Sequence, residues 1–157
     1  MGDGEFTTFV VESKRRYARD MVESAGLDPD AAQAKADRDY ARLLPDGLGS
    51  AAQFLYVIED EDGAGRGTLW FADREHNEQR CAFVYDLYVD EAFRGQHIGR
   101  LAMQLLEEEV RARGIDSIEL NVFGGNTVAR SLYRSLGYVE TFIGMRKRLD
   151  AASASLP

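Results

Sequence analysis

In the stretch "FRGQHIGRLAMQLLEEEVRARG", residues 93–114, an arginine and two glycines stand at the mouth of an amphipathic helix. Ile98, Leu101, Ala102, Leu105, Leu106 and Val110 recur at helical spacing and form its expected buried stripe. Glu107 with Arg111 and Glu109 with Arg113 are four apart, and Gly114 supplies the stop. A helix beginning near Ile98 offers its unpaired N–H groups and the positive end of its dipole to whatever lies before it. That is anion-binding chemistry. Arg94 adds a charge-assisted bond to phosphate, and Gly95 and Gly99 allow close backbone approach. The same residues also read as a plain strand-to-helix turn in which glycine relieves crowding. His97 separates the two readings. If its φ is already helical, its Cβ points away from the ligand while its N–H still serves the anion, and this is the arrangement expected.

A second group capable of chemistry lies just upstream. The run from Cys81 to Val89 is apolar on both faces except at Asp86, as a central strand would be. An acid in such surroundings has a raised pKa unless a cation pairs with it. Other patterns are excluded. "GAGRG" at 63–67 is followed by a strand rather than a helix, so it is a hairpin turn and not a dinucleotide fingerprint, and no P-loop spacing exists. Cys81 is the only cysteine, and His76 and His97 are too scattered for a metal site, so neither a disulfide nor a metal is expected.

The elements that position these groups follow from periodicity. Phe9, Val10, Tyr17, Met21 and Val22 fall on one side of a first helix ending near Gly26, and Asp28 with Pro29 opens a second. After "LPDGLGS", the runs "QFLYVIED", "GTLWFAD" and "RCAFVYDLYVD" predict three strands, the first two joined by the hairpin "EDGAGRG". A helix over about 97–113, the strand "SIELNV", a helix over about 127–136 and strands at "YVETFI" and "MRKRL" follow. The hairpin demands antiparallel pairing and the strand–helix alternation parallel pairing, so the sheet should be mixed.

At 157 residues, with 45% apolar and 29% charged, the chain reads as a single domain, with residues 1–5 as an expression remnant and "DAASASLP" as a frayed tail. Its net charge of −8 argues against nucleic acid and leaves room for cationic small molecules or peptides. No apolar run approaches the ~20 residues a membrane span requires, and a reducing cytoplasm is the expected location.

In "NTVARSLYRSLGY", Asn126 is a good N-cap, Val128, Leu132, Tyr133 and Leu136 give the inner side, and Gly137 ends the helix. "RGQHIG" after "LYVDEAF", followed about thirty residues later by this second motif, resembles the GNAT superfamily of acyl-CoA-dependent N-acetyltransferases. The resemblance covers roughly residues 54–149, with 6–49 in the place of the family's acceptor-side helices. Two departures stand out: the family's first strand, ordinarily ahead of these helices, is absent or reduced to a few residues before Phe6, and His97 replaces the second glycine of the family's turn.

The resemblance implies an α/β (α+β) fold, with a mixed, mostly antiparallel sheet, a splayed parallel pair of strands and flanking helices. It implies acetyl-CoA as co-substrate and direct attack by a primary amine of a small molecule or peptide in a ternary complex; a homodimer is left open. By the same resemblance, the backbone of Leu87, Tyr88 and Val89 would pair with the pantetheine arm and polarise the thioester carbonyl. Arg94, Gly95, Gln96, His97, Ile98, Gly99 and Arg100 would hold the pyrophosphate. Asn126 would contact the cofactor, and Tyr133 would protonate the departing thiolate.

The attacking amine, protonated at neutral pH, must lose a proton. Asp86 is the first candidate base and Glu119, which shares a strand face with Asn121, the second; each also reads as a structural carboxylate. Trp70, Tyr56, Tyr85 and Tyr88 read either as strand packing or as the acceptor pocket. A non-catalytic acyl-CoA-binding module is the alternative function.

Overall fold

The computed structural model describes residues 1–76 and 79–147. Helices α1 (Asp3–Ala25) and α2 (Pro29–Leu43) open the chain, and strands β1 (Gln53–Glu59), β2 (Gly65–His76) and β3 (Gln79–Val89) follow. Then come α3 (Ile98–Ala112), β4 (Ile118–Leu120) and α4 (Thr127–Ser135). Residues 3–5, read from sequence as a remnant, form the first turn of α1. α1 stops where Gly26 takes a left-handed φ of 57°, and α2 starts where the Asp28 carboxylate accepts from the N–H groups of Asp30 and Ala31.

The sheet runs β1-β2-β3-β4, antiparallel through the first three strands and parallel between β3 and β4. It is mixed, as the hairpin and crossover patterns require. α3 covers one face, where Met103, Leu106 and Val110 pack on Leu69, Phe71, Ala82 and Val84. On the other face α1 and α2 bring Phe9 and Tyr40 against Leu55 and Trp70. Trp70 is 1% exposed; it stacks on Tyr85 at 4.6 Å and meets Tyr40 edge-on at 5.2 Å.

Two irregularities shape the site. Trp70 pairs with Asp86 but Phe71 pairs with Val84, so Tyr85 is the extra residue of a β-bulge. β4 pairs with β3 only through Ala82, Phe83 and Val84. Beyond Val84 the β3 edge facing β4 therefore has no strand partner among the described residues.

Several expected details differ. Leu101 and Leu105 are 57% and 56% exposed, while Met103 is buried: α3 lies on a single sheet, which covers a narrower stripe than its apolar residues span. Val128, expected on the inner side of α4, is exposed as well. The two C-terminal strands are not formed within 138–147. Arg130 and Arg134 tie Glu140 to α4 at 2.8 and 2.6 Å, and Arg146 donates to the Ala25 carbonyl, so the segment is anchored to helices rather than to a strand edge. The end of "MRKRL" and the tail 150–157 lie outside the described residues.

Candidate active site

A cleft of about 1210 Å³ opens where β3 and β4 part, between the first turns of α3 and α4 on one side and α1 and α2 on the other. Its two walls differ in construction.

The first wall is largely backbone. Leu87, Tyr88 and Val89 line it along the unpaired edge of β3, and Arg94, Gly95, His97, Ile98, Gly99 and Arg100 follow at the α3 N-terminus. Gly95 has φ 77° and His97, the N-cap of α3, has φ 62° and ψ 8°. The helical φ expected at His97 is therefore corrected: the residue is left-handed, a conformation glycine adopts freely and histidine tolerates. Among the described residues no side chain caps this helix, so its first N–H groups have no partner within it.

Gly99 fits between Val89 and Leu132; an added Cβ would sit 3.4 Å from the Leu132 side chain. Arg94 is braced by its Nε, which donates to the Val89 carbonyl at 3.1 Å. Arg100 reaches Ser135 Oγ at 2.6 Å and so ties α3 to α4. Gln96 points elsewhere, its amide 3.5 Å from the Ala92 carbonyl, and does not line the cleft. Gly67 supports this wall from behind, because a Cβ there would overlap the carbonyl oxygen of Tyr88.

Asn126 and Tyr133 stand across the opening. Asn126 Oδ1 accepts from the Ala129 N–H at 3.0 Å as the α4 cap, which leaves its amide nitrogen for a ligand. Burial, with help from the Asp86 charge, pushes the Tyr133 phenol up to about 12, so it keeps its proton throughout the neutral range.

The second wall is built of side chains. The bulge turns Asp86 toward α1, where Arg16 Nη2 donates to its Oδ2 at 3.0 Å. The Arg16 guanidinium lies 3.8 Å from the Tyr88 ring centroid, which fixes its plane. Behind the pair, buried Ser13 shares a 2.5 Å hydrogen bond with the Tyr40 hydroxyl. Burial raises the Asp86 pKa; the Arg16 charge and the nearby Ser13 hydroxyl pull it back without cancelling the rise.

Glu119 is elsewhere. It pairs in register with Phe83, faces Arg74 at 3.6 Å and does not line the cleft. Leu87 is four steps beyond Phe83, roughly 13 Å along a strand. Of the four aromatics, Trp70, Tyr85 and Tyr88 line the cleft, whereas Tyr56 donates to Glu109 Oε1 at 2.6 Å in a different part of the molecule.

The model of the Acetyltransferase (GNAT) family matches residues 17–138. The chain belongs to this family. It is 35% identical to YdgE, an uncharacterized N-acetyltransferase of Bacillus subtilis (strain 168), over 95% of both chains. It is 32% identical to YycN, an uncharacterized N-acetyltransferase of the same organism, over 92% of this chain and 93% of that one. The crystal structure of YycN superimposes with a TM-score of 0.89 at 30% identity, covering 95% of each chain. GNAT enzymes use acetyl-CoA as co-substrate, and the open strand edge leading to an uncapped helix N-terminus fits a pantetheine arm that ends in a pyrophosphate.

Sequence reasoning thus reached the GNAT turn and its strand but missed Arg16, Ser13, Tyr40 and Gly67. A signal for two of them was present: Ser13 and Arg16 fall on the same side of α1 as Phe9, Tyr17 and Met21, where polar residues need a partner.

Proposed function

We propose that this chain transfers an acetyl group from acetyl-CoA to a primary amine of a small molecule or peptide by direct attack in a ternary complex. The observation that carries the reading is the unpaired β3 edge beyond the bulge, running into the α3 N-terminus. Leu87, Tyr88 and Val89 offer that edge to the pantetheine amides as a neighbouring strand would, and one of their N–H groups polarises the thioester carbonyl. Arg94 and the first N–H groups of α3 hold the pyrophosphate, with His97 contributing through its backbone.

Asp86 removes the amine proton. Of the carboxylates lining the cleft it is the one on β3, next to Leu87, and its raised pKa makes it a stronger base than a surface carboxylate. Glu119 is the less favoured candidate because of its distance. Tyr133 donates to the sulfur as the thiolate leaves, and Asn126 contacts the cofactor through its free amide nitrogen.

The test has two parts. Acetyl-CoA at 100 times its Kd should stabilise the protein by about 2.7 kcal/mol, visible as a rise in Tm, whereas ATP and NAD should give none. A panel of amines should then release free thiol. No melting shift at millimolar acetyl-CoA would overturn the assignment. A shift without thiol release on any amine would favour the non-catalytic binding module.

A further inference from the structure

Resting on the transferase reading, we propose that the acceptor is a small amine that also bears a carboxylate, and that Arg16 binds that carboxylate while Asp86 receives the amine. The charge of the cleft is the first support, because it offers both signs rather than a surplus of one. The chain as a whole carries −8, a balance suited to cationic partners. Yet the cations lining the cleft away from the α3 N-terminus all face carboxylates: Arg16 faces Asp86, Arg19 faces Asp20 and Glu23, Lys35 and Arg42 face Asp39, and Arg74 faces Glu119. A polycation finds no surplus of carboxylates there, whereas an acceptor carrying both signs can meet both.

Arg16 itself is the second support. Its side chain is 18% exposed, lines the cleft and makes a 3.0 Å bond to Asp86 through Nη2. A guanidinium has five N–H donors in a planar fork, and its match is a carboxylate. Stacking on Tyr88 holds that fork beside the strand whose backbone would cradle the thioester. The 3.0 Å bond from Arg16 to Asp86 fixes the positive and negative groups side by side. Such a pair complements an amino-carboxylate zwitterion, with its ammonium toward Asp86 and its carboxylate toward Arg16. The arrangement also delivers the nitrogen to the group that deprotonates it.

Matched pairs of amino acids and their carboxamides, with spermidine as a polycation, test this in the full chain by thiol release. The acids should show a kcat/KM at least about tenfold above their amides, and spermidine should be poor. Arg16→Met should bring the acid-to-amide ratio close to one, mainly through KM, while the melting shift with acetyl-CoA stays as in wild type. Arg16→Lys should recover part of the ratio.

Two results overturn the proposal: a wild-type ratio at or below one, or a high ratio that survives Arg16→Met. If no pair turns over, the same ratio is read from melting shifts of the acetyl-CoA-saturated protein, with the same two outcomes. The acetyl-CoA shift alone decides whether the transferase reading stands, so the two failures are distinguishable. The wild-type ratio is decisive even where a variant does not fold.

Discussion

On the wall formed by β3 and α3 the chemistry belongs to backbone groups, whereas on the wall formed by α1 and the bulge it belongs to side chains that meet across 70 positions of sequence. The backbone wall needs open geometry: a strand edge, a left-handed turn and small residues. The side-chain wall needs specific atoms held by packing, such as Arg16 clamped between Asp86 and the Tyr88 ring. Substitutions should therefore act on the first wall by filling space and on the second by removing a charge or a proton.

The largest effect is expected at the first wall. Gly99→Leu forces a branched side chain against Leu132 and Val89 at the head of α3, and acetyl-CoA affinity should fall at least a hundredfold, about 2.7 kcal/mol, by calorimetry. Unchanged affinity would mean that the turn does not hold the cofactor. Tyr133→Phe should act on turnover instead: a loss of roughly 10²-fold in kcat with acetyl-CoA affinity near wild type, as for a lost proton donor. A variant at full speed returns Tyr133 to core packing.

Asp86→Asn separates the walls by pH. The folded pKa of Asp86 is raised above 3.8, so its contribution to stability is fully present below that pH and is lost as pH rises through the folded value. The stability of wild type relative to the variant should accordingly be greatest in acid and decline as pH rises. Activity should run the other way, with a rising limb of kcat/KM in wild type as Asp86 ionises and no such limb in the variant. Coincident pH profiles would remove Asp86 as the base.

The smallest effect is expected at His97. Because its φ is 62°, His97→Gly relieves the cost of a side chain in the left-handed region and should raise stability by about 0.5–1 kcal/mol. Acetyl-CoA affinity should change by less than about tenfold. A variant binding more than a hundredfold tighter would show that the imidazole obstructs the cradle.

Much of the first wall was legible in the sequence because its determinants are local. The period of Ala102, Leu106 and Val110 fixes α3, and "RGQHIG" fixes where it starts. Asn126 and Gly137 bracket α4 by the same short-range logic. The exposure of Leu101 and Leu105 was not legible, because helical spacing names an apolar side without saying how much of it a neighbour will cover. Within 138–147 no strand forms for a related reason: "YVETFI" suits a strand, but strand formation needs a partner, and the segment is tied to α4 and α1 instead.

Asp86 draws the boundary most sharply. The sequence by itself determined that an acid stands in an apolar strand just ahead of an anion-binding turn. Strict alternation would place it with Ala82 and Val84, beneath α3. The structure sends it to the opposite face, onto Arg16 and Ser13, because Tyr85 is accommodated as a bulge against β2. That extra residue is a property of two strands counted against each other, one step from Trp70 to Phe71 and two from Val84 to Asp86. A strand's own sequence records the period of its side chains but not the register of its neighbour, so the face of Asp86 was decided only when β2 and β3 paired.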